Sequence, residues 1–296
     1  MKETKVLLFV NTRKTIPEGA VRSLFDVLLN RGVSIFAFDT ARELIGSYVG
    51  VDKVIFIGEN EIPDDVSFAV VFGGDGSIIR AASVLCRRDV PMVGVNFGAV
   101  GYLAELESED VPEIGRIIDG DFELDVRMML DARIIGSDGK EKTTLTALND
   151  IVLSNGPVAN LLSFDLFCDG VRLRNYRADG VIAATATGST AYSLSAGGPI
   201  LDPSLSAVCV TPICPHSLGS RPVVLNGDSV IDLRSIQCRK NSVFVTADGR
   251  DGVKLEDGDT VQISRSALTT RLIRLKTSGF LEVLRNKLTG PETERH

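Results

Sequence analysis

The chain has 296 residues, 44% apolar and 24% charged, which excludes intrinsic disorder and exceeds what one average hydrophobic core usually holds, so two domains are expected. Its 39 acidic against 32 basic side chains give a net charge of −7 with no long basic run, which excludes an extended nucleic-acid surface, because neutralising many phosphates takes a positive face. The five cysteines, Cys86, Cys168, Cys209, Cys214 and Cys238, lack the paired spacing of a zinc site and read as reduced core residues, while His216 and His296 leave little for histidine-based ligation or a serine triad.

The first apolar run, Val6 to Val10, is too short for a signal sequence or a membrane span, so a soluble, cytoplasmic protein without a membrane partner is expected. That run reads as a strand. Glu18 to Leu29 reads as an amphipathic helix, Val33 to Phe38 as a strand and Ala41 to Val49 as a helix. Val54 to Ile57, Phe68 to Phe72 and Met92 to Val95 are further strands, with a helix from Ser77 to Cys86. Strand and helix in turn predict a parallel sheet with covered faces, a Rossmann-like α/β domain over residues 1–120. In such sheets ligands bind beyond the C-terminal ends of the strands.

At one such end stands Gly73-Gly74-Asp75-Gly76. Glycines let backbone N–H groups approach an anion closely, and the start of the next helix adds partial positive charge, so Asp75 stands where a transferred phosphate would be. The same residues also fit a tight strand-to-helix turn in which Asp75 caps the helix. A second glycine cluster, Gly94 to Leu103, follows the next strand and would widen the crevice. Ser108 with Glu109 and Asp110 reads as a helix start, continued by Val111 to Ile118.

After about residue 122 the texture changes. Leu130 to Ile135, Thr143 to Leu148, Ile151 to Leu153, Phe164 to Phe167, Val171 to Leu173, Val181 to Ala184, Ala207 to Val210, Val230 to Leu233, Val243 to Ala247 and Val261 to Ser264 are short strand-like runs. The turn pairs Asp138-Gly139, Asp169-Gly170, Asp248-Gly249 and Asp257-Gly258 lie among them. Residues 121–275 are therefore expected to form a mainly antiparallel β-sandwich, and the helical spacing of Phe280 to Leu288 suggests that 276–296 return to the first domain.

Two polar groupings stand out in this half. Asn149 and Asp150 sit side by side in an apolar strand region, where buried polar groups need partners. A ribose diol would satisfy both, and an Asx turn joining two strands, the commoner feature, is the other reading. Thr187 to Pro199 carries five Ser or Thr hydroxyls, the phenol of Tyr192 and three glycines. Such a segment can stack a base and read it with small donors and acceptors, and Arg177 and Asp179-Gly180 stand just before it.

Gly73 to Gly76, the Gly94 to Leu103 loop, Asn149-Asp150, Asp179-Gly180 with Thr187 to Pro199, and Thr211 to Leu218 with Arg221-Pro222 resemble the NAD kinase family in order and spacing, from about Phe68 to the C-terminal helix. The resemblance implies transfer of the terminal phosphoryl group of ATP, or of polyphosphate, to the 2′-hydroxyl of the adenosine ribose of NAD. It implies Asp75 as the catalytic carboxylate, with Gly73, Gly74 and Gly76 admitting the phosphates and Arg80 neutralising charge. It places Asn149 and Asp150 on the ribose. Asp75, Gly76, Arg80, Asn96, Phe97, Asn160, Arg177, Asp179, Thr187, Thr190, Ala191, Tyr192, Ser193, Leu194, Ser195 and Arg250 complete the implied NAD-binding set.

A divalent metal, magnesium, and a homodimer or homotetramer also follow from the resemblance. The chain departs from the family pattern at Asp150, where many members have glutamate, at Ala186, often proline, and at Arg250, often glutamine, a change that bears on NAD against NADH. The glycine-aspartate motif alone is shared with diacylglycerol, sphingosine and phosphofructokinase relatives. A lipid kinase, or a dinucleotide-binding regulator without catalysis, is the alternative.

Overall fold

The computed structural model describes residues 3–12, 16–98, 101–156, 161–217, 219–238, 243–250, 252–276 and 279–289. The chain divides into two units, Met1–Val126 with Thr270–His296, and Arg127–Thr269.

The first unit runs β1 (Lys5–Val10), α1 (Glu18–Leu29), β2 (Ser34–Phe38), α2 (Arg42–Gly46), β3 (Ile55–Ile57), β4 (Phe68–Phe72), α3 (Asp75–Leu85), β5 (Met92–Asn96), β6 (Leu106–Glu107) and α4 (Ile114–Ile118). Its sheet is parallel in the order β5-β4-β1-β2-β3, with β6 beside β5. Every residue of β4 and β5 is buried, as expected of strands covered on both faces. The spacing of Ala20, Val21, Leu24, Phe25 and Leu28 turns one apolar stripe of α1 onto this sheet, where it packs with Val70, Phe72 and Val95.

Three local expectations change. The Ala41 to Val49 helix is a 3-10 turn, Asp39–Ala41, followed by the short α2. Ser108 does not cap a helix: the Glu107 N–H donates to Asp110 Oδ2 at 3.0 Å, and Ser108–Glu113 is a 3-10 segment, because Pro112 removes a donor from any longer helix. α3 begins at Asp75 rather than Ser77, with Gly74 as its N-cap.

The second unit holds β7 (Glu123–Ile135), which starts in the first, β8 (Glu141–Ala147), β9 (Asp150–Asn155), β10 (Leu162–Cys168), β11 (Val171–Ala178), β12 (Gly180–Thr185), α5 (Tyr192–Ser195), β13 (Ala207–Ile213), β14 (Val223–Asn226), β15 (Ile231–Cys238), β16 (Val243–Ala247), β17 (Val253–Lys254) and β18 (Thr260–Arg274). One sheet is antiparallel in the order β14-β13-β12-β9-β16-β17. The other takes β11, β10, β15 and the first part of β18, together with the β7–β8 hairpin. Leu130, Phe164 and Ile263 from one sheet and Leu153, Val181 and Val245 from the other share a single core. In the first unit, the end of β18 lies beside β5 at Leu272 and Met92, and α6 (Phe280–Thr289) returns, with the Phe280 ring 6.0 Å from that of Tyr102 and the Lys287 ammonium 4.4 Å above it.

Candidate active site

In the first unit the chain leaves β4 through Gly73, whose φ is +140°, and enters α3 at Gly74 and Asp75. Asp75 makes no cap bond to its own helix. Its carboxylate turns to the loop after β5 instead: Oδ2 accepts the Tyr102 N–H at 2.8 Å and Oδ1 the Leu103 N–H at 3.0 Å. The capping turn does not match this arrangement. Each carboxylate oxygen has two lone pairs, so two of roughly four acceptor sites stay available for a substrate proton or a cation.

Around Asp75 the structure gathers part of the expected set. Asn96 is buried, donating through Nδ2 to the Gly98 carbonyl at 3.1 Å and receiving the Gly98 N–H at 3.3 Å, so it shapes the loop. The Phe97 ring packs 5.4 Å from Phe72 and belongs to the core edge. Nothing lies within 4 Å of where a Gly76 side chain would begin, which leaves the start of α3 open. Arg80 is exposed and 3.5 Å from Glu59. Asn11, which no motif marked, extends from the end of β1 to donate to Ser77 Oγ at 3.3 Å.

The second unit holds the other set. Leu148 and Asn149 form the bend between β8 and β9, and three successive N–H groups there, of Leu148, Asn149 and Asp150, converge on the Asp248 carboxylate at 2.9, 2.7 and 3.3 Å. Asp248 has a φ of +53° and only 1% of its side chain exposed. Burial, with a secondary contribution from the Asp248 charge, pushes the Asp150 carboxyl up to about 7. Burial raises Asp248 as well, opposed by the three amides and by Arg250. Asn149 Oδ1 is buried and has no hydrogen-bond partner among the described residues. The Asp248-Gly249 pair reads in sequence as an ordinary hairpin turn, and nothing there signals a carboxylate serving another strand.

Thr187–Thr190 is a 3-10 turn and Tyr192–Ser195 is α5, joined at Ala191. Four of the five hydroxyls in this block are used inside the fold, Thr190 Oγ1 donating to the Thr187 carbonyl at 3.4 Å. Thr187 Oγ1 accepts from the buried Arg127 at 3.0 Å, Ser189 Oγ donates to the Ala186 carbonyl at 2.7 Å and accepts the Leu201 N–H at 2.9 Å, and Ser193 Oγ pairs with Thr211 Oγ1 at 2.9 Å. Tyr192, Leu194 and Ser195 are exposed, and Thr190 and Ala191 half-buried, leaving the Tyr192 face open for stacking.

Arg177 and Asp179 are exposed just before β12, whereas Thr187 follows the end of that strand. Six extended residues separate these positions by roughly 20 Å, so the structure of this unit does not bring Arg177 and Asp179 to Thr187. Arg250 donates to the Thr146 carbonyl at 2.9 Å and the Ala247 carbonyl at 3.3 Å, which occupies much of its guanidinium. Asn160 lies outside the described residues. Among the described residues no group of three or more His, Cys, Asp or Glu side chains could hold a metal, and no helix is long and apolar enough to cross a membrane.

A glycine-flanked carboxylate at a parallel strand end, in a chain that also carries buried polar groups on a β-sandwich, fits phosphoryl transfer to a small molecule, which asks for positioning and charge neutralisation. Known proteins narrow the class. Residues 6–122 match the family model for the ATP-NAD kinase N-terminal domain and residues 148–275 that for the ATP-NAD kinase C-terminal domain, so the chain belongs to the ATP-NAD kinase family. The NAD kinase of Geobacter sp. (strain M21) is 44% identical over 233 residues, 78% of this chain and 81% of its own length. That of Geotalea daltonii is 37% identical over 290 residues, 97% of this chain and 99% of its own. An NAD kinase from Archaeoglobus fulgidus in complex with ATP superposes with a TM-score of 0.72 at 26% identity, covering 97% of this chain and 98% of that one. Yeast NADH kinase complexed with NADH shares the fold with a TM-score of 0.88, at 24% identity and coverages of 99% and 89%. The activity is that of an NAD kinase, a phosphotransferase, and the lipid-kinase and regulator alternatives lapse.

Proposed function

We propose that the protein makes NADP by transferring the terminal phosphoryl group of ATP to the 2′-hydroxyl of the adenosine ribose of NAD, with Asp75 taking or orienting the proton of that hydroxyl. The observation that carries the ribose assignment is the orphaned Asn149 Oδ1 next to Asp150. A buried acceptor without a partner costs about 1–3 kcal/mol, and a ribose hydroxyl donating to it removes that cost. Asp150, protonated below about pH 7, there supplies an O–H donor for the neighbouring hydroxyl. The pair therefore matches a diol with one acceptor and one donor.

Gly73, Gly74 and Gly76 admit the phosphates at the start of α3, where backbone N–H groups and the helix dipole favour negative charge. Tyr192 supplies an exposed face for the base. Thr187, Ser193 and Asn96 act by holding the loops that carry these groups. Magnesium suits the donor set: it is held by one or two carboxylates plus substrate phosphates rather than by an all-protein cage. Asp75, with unused lone pairs, is the carboxylate that would touch it, and the ion would neutralise charge on the transferring group. The family resemblance extends the reading to a cytoplasmic homodimer or homotetramer.

Purified protein with ATP, magnesium and NAD should form NADP, and Asp75→Asn should lower turnover at least ~10²-fold while leaving NAD affinity within a few-fold, the scale of a lost general base. No NADP from the wild-type protein would overturn the reaction. Turnover of Asp75→Asn near wild type would overturn the role of Asp75 alone.

A further inference from the structure

We propose that Asp248 is a positioning residue for the acceptor site: by gathering the N–H groups of Leu148, Asn149 and Asp150 onto one carboxylate, it fixes the strand bend that presents Asn149 and Asp150 to the ribose. The proposal rests on the ribose reading of those two residues and adds to it the group that sets their geometry.

Asp248 is gripped from both directions. Its backbone N–H donates to the Asp150 carbonyl at 2.9 Å, while Oδ1 receives Asn149 and Asp150 and Oδ2 receives Leu148. With 1% of its side chain exposed it is shielded from any substrate and acts through the residues it holds. Bonds to an ionised acceptor are about twice as strong as neutral ones, so the bend is stiff where Asn149 and Asp150 leave it. An amide at this position cannot replace the carboxylate. Its NH₂ group would face at least one of the three N–H donors, leaving that donor unpaired and buried.

The same carboxylate governs the proton on its neighbour. Asp150 faces the Asp248 charge from the end of β16, and Arg250 on that turn lies 3.9 Å from Asp248. The other strand packed on Asp150 brings Ala184 opposite it, followed by Thr185, neither of which titrates. Burial raises both carboxyls, but three amides and the Arg250 guanidinium oppose it at Asp248, whereas at Asp150 the Asp248 charge adds to it. Of the two, Asp150 therefore keeps its proton to the higher pH, and below about pH 7 the site offers unlike groups, an acceptor at Asn149 and a donor at Asp150, to two adjacent hydroxyls.

The test is a ¹³C NMR titration of the aspartate carboxyl carbons, without substrate, in the wild type, Asp150→Asn and Asp248→Asn, with steady-state kinetics on the same samples. The wild type should show one aspartate titrating near neutrality that is missing from Asp150→Asn. In Asp248→Asn that titration should move down by about one pH unit or more as the facing charge is removed. kcat/KM for NAD should fall about tenfold or more, the usual cost of losing a group that orients a ligand-binding side chain.

An Asp150 titration unmoved in Asp248→Asn, or kcat/KM for NAD unchanged, overturns the proposal. A purely structural Asp248 would lower stability while leaving kcat/KM for NAD of the folded variant at the wild-type value. If Asp248→Asn does not fold, the wild type and Asp150→Asn still decide: the absence of a near-neutral titration belonging to Asp150 overturns it. Failure of the wild type to make NADP overturns the reading of function, and is distinguishable because the titrations need no substrate.

Discussion

A methyl group at Gly101 would sit 2.0 Å from Asp75 Oδ1, so glycine at 101 is the condition for the bonds from Tyr102 and Leu103 to Asp75. The obstructing atom is the tip of a side chain, which can swing away. Gly101→Ala should therefore displace the Asp75 carboxylate with little loss of stability. A reacting group misplaced by about 1 Å costs up to ~10²-fold, so turnover to NADP should fall well below wild type while the urea midpoint moves little. Normal turnover would show that the clasp has no bearing on catalysis. Asp75 was legible in sequence because three glycines surround it, and Asn149-Asp150 because polar groups interrupt an apolar run. Asp248 was not, since the same Asp-Gly pair closes ordinary hairpins. Nor was Asn11, whose partner is 66 residues away. The hydroxyl-rich block was noticed for its chemistry, yet Ser189 and Ser193 are there to satisfy buried neighbours.

At the scale of elements, the turn after β12 is wedged against the β8–β9 bend. Thr185 N–H donates to the Asn149 carbonyl at 2.8 Å, Thr185 Oγ1 donates to the Leu148 carbonyl at 2.7 Å, and the Gly188 N–H returns to Thr185 Oγ1 at 3.0 Å. A methyl group on Gly188 would lie 2.1 Å from the Asn149 carbonyl oxygen, and here the obstacle is backbone that cannot swing aside. Gly188→Ala should destabilise the protein by roughly 1–3 kcal/mol or more, as overpacking does, and should weaken NAD binding by shifting Asn149. Chemical denaturation that leaves Gly188→Ala as stable as Gly101→Ala would contradict this contrast. The elements easiest to read in sequence are those with a strong period, such as α1 and β16, or an unbroken apolar run, such as β4. The apolar pattern in sequence marks only Val261 to Ser264 of β18, which runs to Arg274, because the polar Ser266 and Thr270 occupy buried positions. β14, an edge strand with Val223 and Val224 exposed, lacks the alternation that marks a half-buried strand.

Across the whole molecule, the carboxylates that the fold displaces form two groups with opposite effects on stability, one lowered and the other, Asp150 and Asp248, raised. Asp110, Asp121, Asp165, Asp169 and Glu141 are held below the ordinary range. Whatever stability they add is present above their unfolded values near 4 and is lost as pH falls through the folded ones. They are mostly exposed, and such pairs contribute little. Asp150 runs the other way. Its folded value of about 7 lies above the unfolded value, so the folded state binds the extra proton between roughly pH 4 and 7. Its contribution is fully present below about pH 4, declines as pH rises, and is gone above about pH 7. Asp150→Asn keeps the shape and removes the titration. The stability difference, mutant minus wild type, should therefore grow by roughly 2–3 kcal/mol between pH 5 and pH 8, at about 1.4 kcal/mol per pH unit over the window. Urea unfolding of both proteins at pH 5, 6.5 and 8 measures that difference directly. A difference that stays flat across the range would mean that Asp150 is ionised throughout, and that the proposed ribose contact is to a carboxylate rather than an acid.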